Sequence, residues 1–166
     1  MEIAELLKKV ESSSVFVSWR PDNKEAYLAN IFALFDVDKQ PGEWSFGYYD
    51  ARADRMTVFV VASDVTVNPP SEVFKKGDVV NRLDIDEVKV DFMDAMKTAG
   101  EFCRKNFSAD APQKFIVSLQ KLVSNVWNIS IITSTYKMVN IHVDSVSGKV
   151  VHSSATPLFK FMKSGL

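Results

Sequence analysis

The sequence predicts an α+β protein built from two successive units, each with a helix followed by an antiparallel sheet. Strand patterns are the first observation: within residues 126–151, two segments alternate apolar and polar side chains, as strands with one face on a core and one in water do. Helical patterns are the second, because apolar residues recur at helical spacing near residues 3–10 and again near residues 92–103. The third is their order, since helix, strand, strand, strand occurs twice.

The first half begins with a short amphipathic helix and continues as strands. The segment Val15–Trp19 fits either the last turns of that helix or an extended link. Residues 27–37 are apolar on both faces and rich in aromatic and β-branched side chains, which predicts a well-buried strand. The same kind of pattern predicts further strands at residues 44–48 and 56–61, and a short fourth strand at 65–67 that stops at Pro69-Pro70.

The second half follows a mixed, charged linker at residues 71–90. Asp91 is a predicted N-cap with Asp94 in the first turn, and it opens a helix whose apolar face ends at Cys103. Strands are then predicted at residues 115–120, 126–132 and 138–144, and a hairpin turn ends at Gly148 in the left-handed conformation. The tail from residue 156 is predicted to dock as a short helix or strand.

The two halves match each other position by position. A constant offset superposes each predicted element on its counterpart: adding 89 maps Ile3 onto Phe92, adding 88 maps Tyr27 onto Phe115, and adding 83 maps Trp44 onto Trp127 and Val58 onto Ile141. The matched residues are apolar, which indicates a duplicated core. We therefore predict two helix-plus-sheet repeats, residues 1–80 and 81–166, related by an approximate twofold and sharing one core.

Residues 88–151 resemble the PepSY domain, in which a helix precedes three antiparallel strands. The resemblance rests on the helix DFMDAMKTAGEF and on the strand ending VDSVSGKVV, which is similar to the family's VDA-x-TG-x-V motif. The first half resembles the family only through the internal repeat, and Val65 stands there in place of the turn glycine. PepSY domains occur in protease propeptides and in proteins thought to be binding or inhibitory modules, so the resemblance implies a noncatalytic role.

Composition narrows the function further. With 166 residues and a formal net charge of −1, the chain has no general attraction for nucleic acid. Cys103 is the only cysteine and falls on the apolar helix face, where we expect a buried and inert thiol, and one Cys with two His cannot form a Cys/His metal cluster. Because Glu2 and Glu5 interrupt the apolar residues at the start, we expect neither a signal peptide nor a membrane span, and a cytoplasmic location without cofactors.

One polar cluster could bind a metal. His142 and Asp144 lie two apart on one predicted strand, and His152 follows across the turn. If residue 142 pairs with residue 152, the two imidazoles share a face, whereas pairing with residue 151 separates them. The alternative is a solvent-facing surface of ordinary polar residues with Asp144 bonded to turn amides, and we favour it because spacing alone predicts a site poorly.

The two aromatic-rich strands predicted at residues 27–37 and 44–48 carry apolar residues on both of their faces. This is more apolar surface than one core requires. Candidate binding residues here are Tyr27, Phe32, Trp44 and Tyr49, and His142 and Asp144 complete the set. Either a second layer covers the extra face, or it forms a pocket or a partner surface.

We therefore expect a noncatalytic binding or regulatory module that takes a protein or peptide partner through its sheet. The alternative is a carrier or sensor of a small apolar ligand, with a pocket between sheet and helix. An enzyme ranks third, because no phosphate-binding glycine loop, nucleophile elbow or HExxH motif is present.

Overall fold

A single antiparallel sheet organises the chain in the computed structural model, which describes residues 2–73, 79–107 and 111–160. The helices and strands are α1 (Ile3–Ser12), α2 (Ser14–Trp19), β1 (Tyr27–Asp36), β2 (Trp44–Asp50), β3 (Arg55–Val61), β4 (Val65–Glu72), α3 (Phe92–Asn106), β5 (Pro112–Lys121), β6 (Asn125–Thr133), β7 (Lys137–Asp144) and β8 (Val150–Pro157). Over these described residues the sheet has eight strands in the order β4-β3-β2-β1-β5-β6-β7-β8, with antiparallel neighbours throughout. The predicted α+β class is confirmed.

The centre of the sheet is the pair β1 and β5. Ala33 lies opposite Val117 in this pair, and hydrogen bonding continues from Asn30 to Asp36. On either side the chain runs as a meander, in which each strand pairs with its neighbour in sequence. Strands distant in sequence meet only at the centre, so the β1–β5 pair joins the two halves.

The helices α1, α2 and α3 pack on one face of the sheet and enclose the main core. Helix α1 contacts β3, α2 contacts β4, and α3 contacts β6, β7 and β8. Buried side chains from both halves belong to one apolar cluster, and the largest of those that are fully buried are Trp127, Phe46, Phe59, Ile31, Leu119, Ile129, Ile131 and Ile141.

Serine and aspartate caps set the helix ends. Ser13 is extended at φ −69° and ψ 149°, ends α1, and accepts a hydrogen bond from the backbone N–H of Phe16 at 3.3 Å, so it also begins α2. The segment that sequence left open, Val15–Trp19, is therefore helical. At α3 the Asp91 carboxylate accepts from the Asp94 N–H at 2.9 Å, which confirms the predicted cap.

Edge strand β4 runs through both prolines instead of stopping before them. The expectation that Pro69-Pro70 ends the strand was wrong, because β4 continues to Glu72. Its pairing with β3 shifts register between Met56 and Val58, opposite the prolines. An edge strand at a bulge tolerates proline, since the missing N–H need not bond a neighbour. The prolines also make this edge a poor template for a further strand.

The solvent-facing sides of β1 and β3 also differ from expectation. The first strand was expected to be well buried, yet Phe32 and Leu34 are 37% and 49% exposed. Trp44 of β2 lies opposite Val61 of β3, whereas Trp127 of β6 lies opposite Val143 of β7. The partners of the two tryptophans are therefore 82 residues apart, whereas the predicted repeat uses an offset of 83 for these strands.

The segment between the halves is attached to the body where it is described. The Leu83 side chain is buried in the main core, and its N–H donates to the Leu28 carbonyl at 2.8 Å. The charged run at residues 75–78 lies outside the described residues. The start of the tail is part of β8, which ends at Pro157, and the Leu158 N–H donates to the Tyr136 carbonyl at 2.8 Å. Residues 161–166 lie outside the described residues.

Candidate functional site

The face of the sheet opposite the helices carries partly exposed apolar side chains at its centre. Alternation along β1 sends Ile31, Ala33 and Phe35 into the core and leaves Phe32 and Leu34 on this uncovered face. Leu34 lies opposite Ile116 of β5, and Phe32 lies opposite Ser118. Two strands from different halves thus form a joint apolar patch, which we call the central patch and define as Phe32, Leu34 and Ile116.

A hydrogen-bonded polar row extends the central patch across β6 and β7. The Asn140 amide donates to Asn128 Oδ1 at 2.6 Å and to Ser130 Oγ at 2.8 Å. Asn128 of β6 pairs with Ser118 of β5, and Ser118 pairs in turn with Phe32 of β1. The polar row therefore begins next to the central patch. Because these side chains bond to one another, their positions on this surface are fixed.

The two histidines share this face, as one of the two expected registers requires. His142 lies directly opposite His152, and their ring centroids are 5.0 Å apart at an angle of 49°. A bulge between His142 and Val143 allows this pairing, because Val143 then lies opposite Val150 and one residue of β8 is left over.

Hydrogen bonds attach the Asp144 carboxylate to the β7–β8 turn. The carboxylate accepts from the Ser147 N–H at 2.7 Å, the Ser147 hydroxyl at 2.8 Å and the Val146 N–H at 3.2 Å. Gly148 follows at φ +71°, the left-handed conformation predicted for it. Hydrogen bonds from Ser147 hold the pKa of the Asp144 carboxyl below its usual range. Across the described residues, no group of three or more His, Cys, Asp and Glu is placed to hold a metal ion.

We expect Asp144→Ala to lower the free energy of unfolding by about 0.5–1.5 kcal/mol at neutral pH, because it removes the acceptor of the turn N–H groups. The lowered pKa means that the carboxylate stabilises the fold above the unfolded pKa of about 3.9 and loses this effect as the pH falls through the folded value. Urea unfolding of both proteins at neutral and acidic pH measures it. The difference between them should shrink on acidification, and a difference independent of pH would contradict this role.

Tyr27 and Tyr49, two of the predicted binding residues, lie on the side of the sheet away from the helices, at one end of it. At this end the chain around Val73 and Val80 covers them. Tyr27 Oη donates to the Val80 carbonyl at 2.7 Å, and the Arg82 guanidinium lies 5.1 Å from the Tyr27 ring centroid. Tyr49 is buried and donates to Asp54. The chain on either side of residues 74–78 thus covers this end, with Val73 and Val80 packed on the cluster, and leaves the central patch open.

Trp44 lies on the helix side of the sheet. Its side chain is buried, and its ring stands edge-on to Phe92 with centroids 5.0 Å apart. The structure therefore does not bring Trp44 together with Phe32, although the two residues belong to neighbouring strands.

Ile116 completes the central patch but was absent from the sequence-predicted set of binding residues. The alternation along β5 already places Ile116 on the other face of the strand from Phe115 and Val117. Its proximity to Leu34, in contrast, depends on the β1–β5 pairing.

Fold and face together define an α+β protein whose antiparallel sheet is covered by helices on one side. No family model matches the chain, and no curated protein matches it significantly. The chain is similar in fold to a crystal structure described as that of "a putative lipoprotein" from Clostridium difficile 630, with a TM-score of 0.54, 17% identity, and coverage of 89% of this chain and 94% of that one. None of the described helices has the length and apolar character needed to span a membrane.

Proposed function

We propose that this protein is a noncatalytic binding module that docks a partner protein on the uncovered face of its sheet. The observation that carries the proposal is the exposure of Phe32 and Leu34, at 37% and 49%, on the middle strand of the sheet. Because Ile116 of β5 adjoins Leu34, these side chains form a contiguous patch across two strands, and contiguous exposed apolar patches mark interaction surfaces.

The size of the face suits a protein partner. Seven inter-strand spacings of about 4.8 Å make the sheet about 34 Å wide, and a strand of six residues is about 20 Å long. The flat face is thus about 680 Å², which is close to the roughly 800 Å² that each side of a standard interface buries. An apolar centre with a polar surround is the usual anatomy of these interfaces.

The charge of the face indicates what kind of partner fits. Lys114 lies 3.7 Å from Asp36, and Lys39 lies 3.1 Å from the same carboxyl group, so the charges at this end offset one another. Lys39 and Lys114 hold the pKa of Asp36 below its usual value. The middle of the face is apolar or amide-bearing. We therefore propose a partner whose contacting surface has an uncharged, apolar or aromatic centre, since unpaired charges would lose hydration there.

We further propose that the face is assembled from two PepSY-like units, residues 1–80 and 81–166. The order of a helix and four strands in each half supports this, as does the antiparallel meeting of β1 and β5 at the centre, which a twofold relation requires. The offsets of 83 for the tryptophans and 82 for the following strand support it as well. The family's motif turn lies here between β7 and an additional strand β8, which departs from the three-strand pattern.

Photocrosslinking in the native cell tests the docking face. With a photoreactive benzoyl-phenylalanine in place of Phe32, we expect a discrete adduct of this chain with a different protein. Leu34→Lys should reduce that adduct roughly tenfold or more, because a lysine under an apolar interface costs at least about 1.4 kcal/mol. The matched control is Val17→Lys, since Val17 is an exposed apolar residue on α2, on the other side of the sheet.

The outcomes separate clearly. An adduct that survives Leu34→Lys, or that is lost equally with Val17→Lys, contradicts docking on the central patch. An adduct of twice the chain's mass shows self-association and contradicts a different partner. Circular dichroism of each variant checks that the fold is intact, which is expected because both replaced side chains are already exposed.

A further inference from the structure

A cleft opens on the helix side of the sheet, away from the uncovered face. It lies between the second half of α3 and the ends of β5 and β6, and its volume is about 630 Å³. Apolar side chains form most of its lining, among them Met96, Cys103, Phe107, Phe115 and Ile131. Ligand pockets in proteins commonly enclose about 300–1,000 Å³ with mainly apolar walls, so the cleft has the size and lining of a small-molecule site.

Gly100 keeps this cleft open. The residue lies in the interior of α3, one turn from both Met96 and Arg104, and lines the cleft with them. A Cβ built there would meet only Arg104 Nη1, at 3.6 Å, so the space beside it is empty. A glycine inside a helix costs about 1 kcal/mol relative to alanine. The chain therefore gives up helix stability at a position whose side chain would occupy part of the cleft.

One charged side chain borders the cleft among the residues that the structure describes. Among the described residues that line it, Arg104 is the only charged one, and no acidic side chain is present. Its guanidinium lies beside Gly100, at the boundary between the apolar lining and solvent. Guanidinium binds carboxylate through paired hydrogen bonds, and such charge-assisted bonds are roughly twice as strong as neutral ones. An apolar cavity with an arginine at its mouth is complementary to a molecule with an apolar tail and one anionic end.

We propose that this cleft binds a small aliphatic carboxylate, with its hydrocarbon tail against Phe107, Phe115 and Ile131 and its carboxylate on Arg104. The site is separate from the central patch, because the sheet lies between them. It does not depend on the proposed docking of a protein, and either can fail without the other.

Titration calorimetry with decanoate and with the uncharged 1-decanol tests the proposal. We expect saturable binding of decanoate, about tenfold tighter than that of decanol, because only the carboxylate gains the charge-assisted pair. Arg104→Gln should remove this preference and leave decanol binding unchanged. Gly100→Leu should abolish binding of both by filling the cleft. Its melting temperature should not fall, since leucine is a better helix former than glycine and its Cβ would meet only Arg104 Nη1, at an ordinary contact distance of 3.6 Å.

Glu101→Leu is the matched control for the added leucine, because Glu101 is exposed on the same helix and does not line the cleft. This variant should bind decanoate as the natural chain does. The proposal is overturned if the natural chain shows no saturable decanoate binding, if Gly100→Leu binds as well as the natural chain, or if Arg104→Gln still prefers decanoate over decanol.

Discussion

Replacing Trp127 with alanine is expected to lower the free energy of unfolding by about 3–5 kcal/mol, one of the two largest effects of a single substitution in this chain. The Trp127 side chain is completely buried on β6, and its ring contacts Phe92 of α3 with centroids 6.0 Å apart. The indole N–H donates to the Val90 carbonyl at 2.9 Å, just before α3 begins. The substitution therefore creates a large cavity and also releases the start of the helix. Urea unfolding followed by far-ultraviolet circular dichroism measures the loss without relying on tryptophan fluorescence.

Replacing each tryptophan with phenylalanine separates the loss of stability due to packing from the loss due to hydrogen bonding. Trp127→Phe keeps most of the apolar volume but leaves the Val90 carbonyl without its donor, which should cost about 1–3 kcal/mol beyond the volume change. Trp44→Phe is the matched control, because Trp44 holds the corresponding place opposite Val61 and makes an edge contact with Phe92 that phenylalanine can partly retain. Equal losses in the two variants would show that the bond to Val90 adds nothing.

Local patterns in the sequence were sufficient to predict most elements of this fold. Asp91 was recognised as a cap because an aspartate side chain bonds the N–H three residues on, and the structure has this bond at 2.9 Å. The alternation around Trp127 predicted β6 because burial on one face imposes a period of two. Gly148 was predicted from the left-handed geometry that a hairpin turn requires. Each of these features depends on a few neighbouring residues, so no knowledge of the rest of the chain was needed.

The choice between two apolar faces could not be predicted in the same way. In β3, Val58 and Val60 alternate with Phe59 and Val61, and both sets are apolar enough for a core. The structure buries Phe59 and Val61, because Trp44 pairs with Val61 and the helices lie on that side. That decision belongs to strand register and to helix placement, which are properties of the whole fold.

The candidate sites depended on long-range pairing even more strongly. The central patch needs Leu34 beside Ile116, and these residues are neighbours only because β1 pairs with β5 across about half the chain. The cleft depends on Gly100, whose lack of a side chain is visible in the sequence but whose position over the ends of β5 and β6 is not. The facing of His142 and His152 depends on a bulge that loop length alone left undecided.

Helix α2 has only six residues, and one aromatic cluster attaches it to the sheet. Phe59 of β3 is completely buried, with its ring centroid 5.1 Å from that of Phe16, 5.1 Å from that of Trp19 and 5.7 Å from that of Tyr48. Such a short helix is unstable without tertiary packing. Phe59 and Tyr48 of the sheet both contact the two α2 rings, and Phe59 is completely buried at the centre of this cluster. Its removal should therefore weaken the attachment of the helix as well as the core beneath it.

We therefore expect Phe59→Ala to lower the free energy of unfolding by about 3–5 kcal/mol and to increase amide hydrogen exchange in α2 beyond the increase in β6 and β7. The control is Val60→Ala on the next residue of β3, whose side chain lies on the uncovered face and is only half-buried. Its cost should be much smaller, with no selective change in α2. Uniform acceleration of exchange across all strands in Phe59→Ala would mean that α2 is not a separately attached element. An equal loss in Val60→Ala would mean that β3 has no preferred core face, which contradicts the register of Trp44 against Val61.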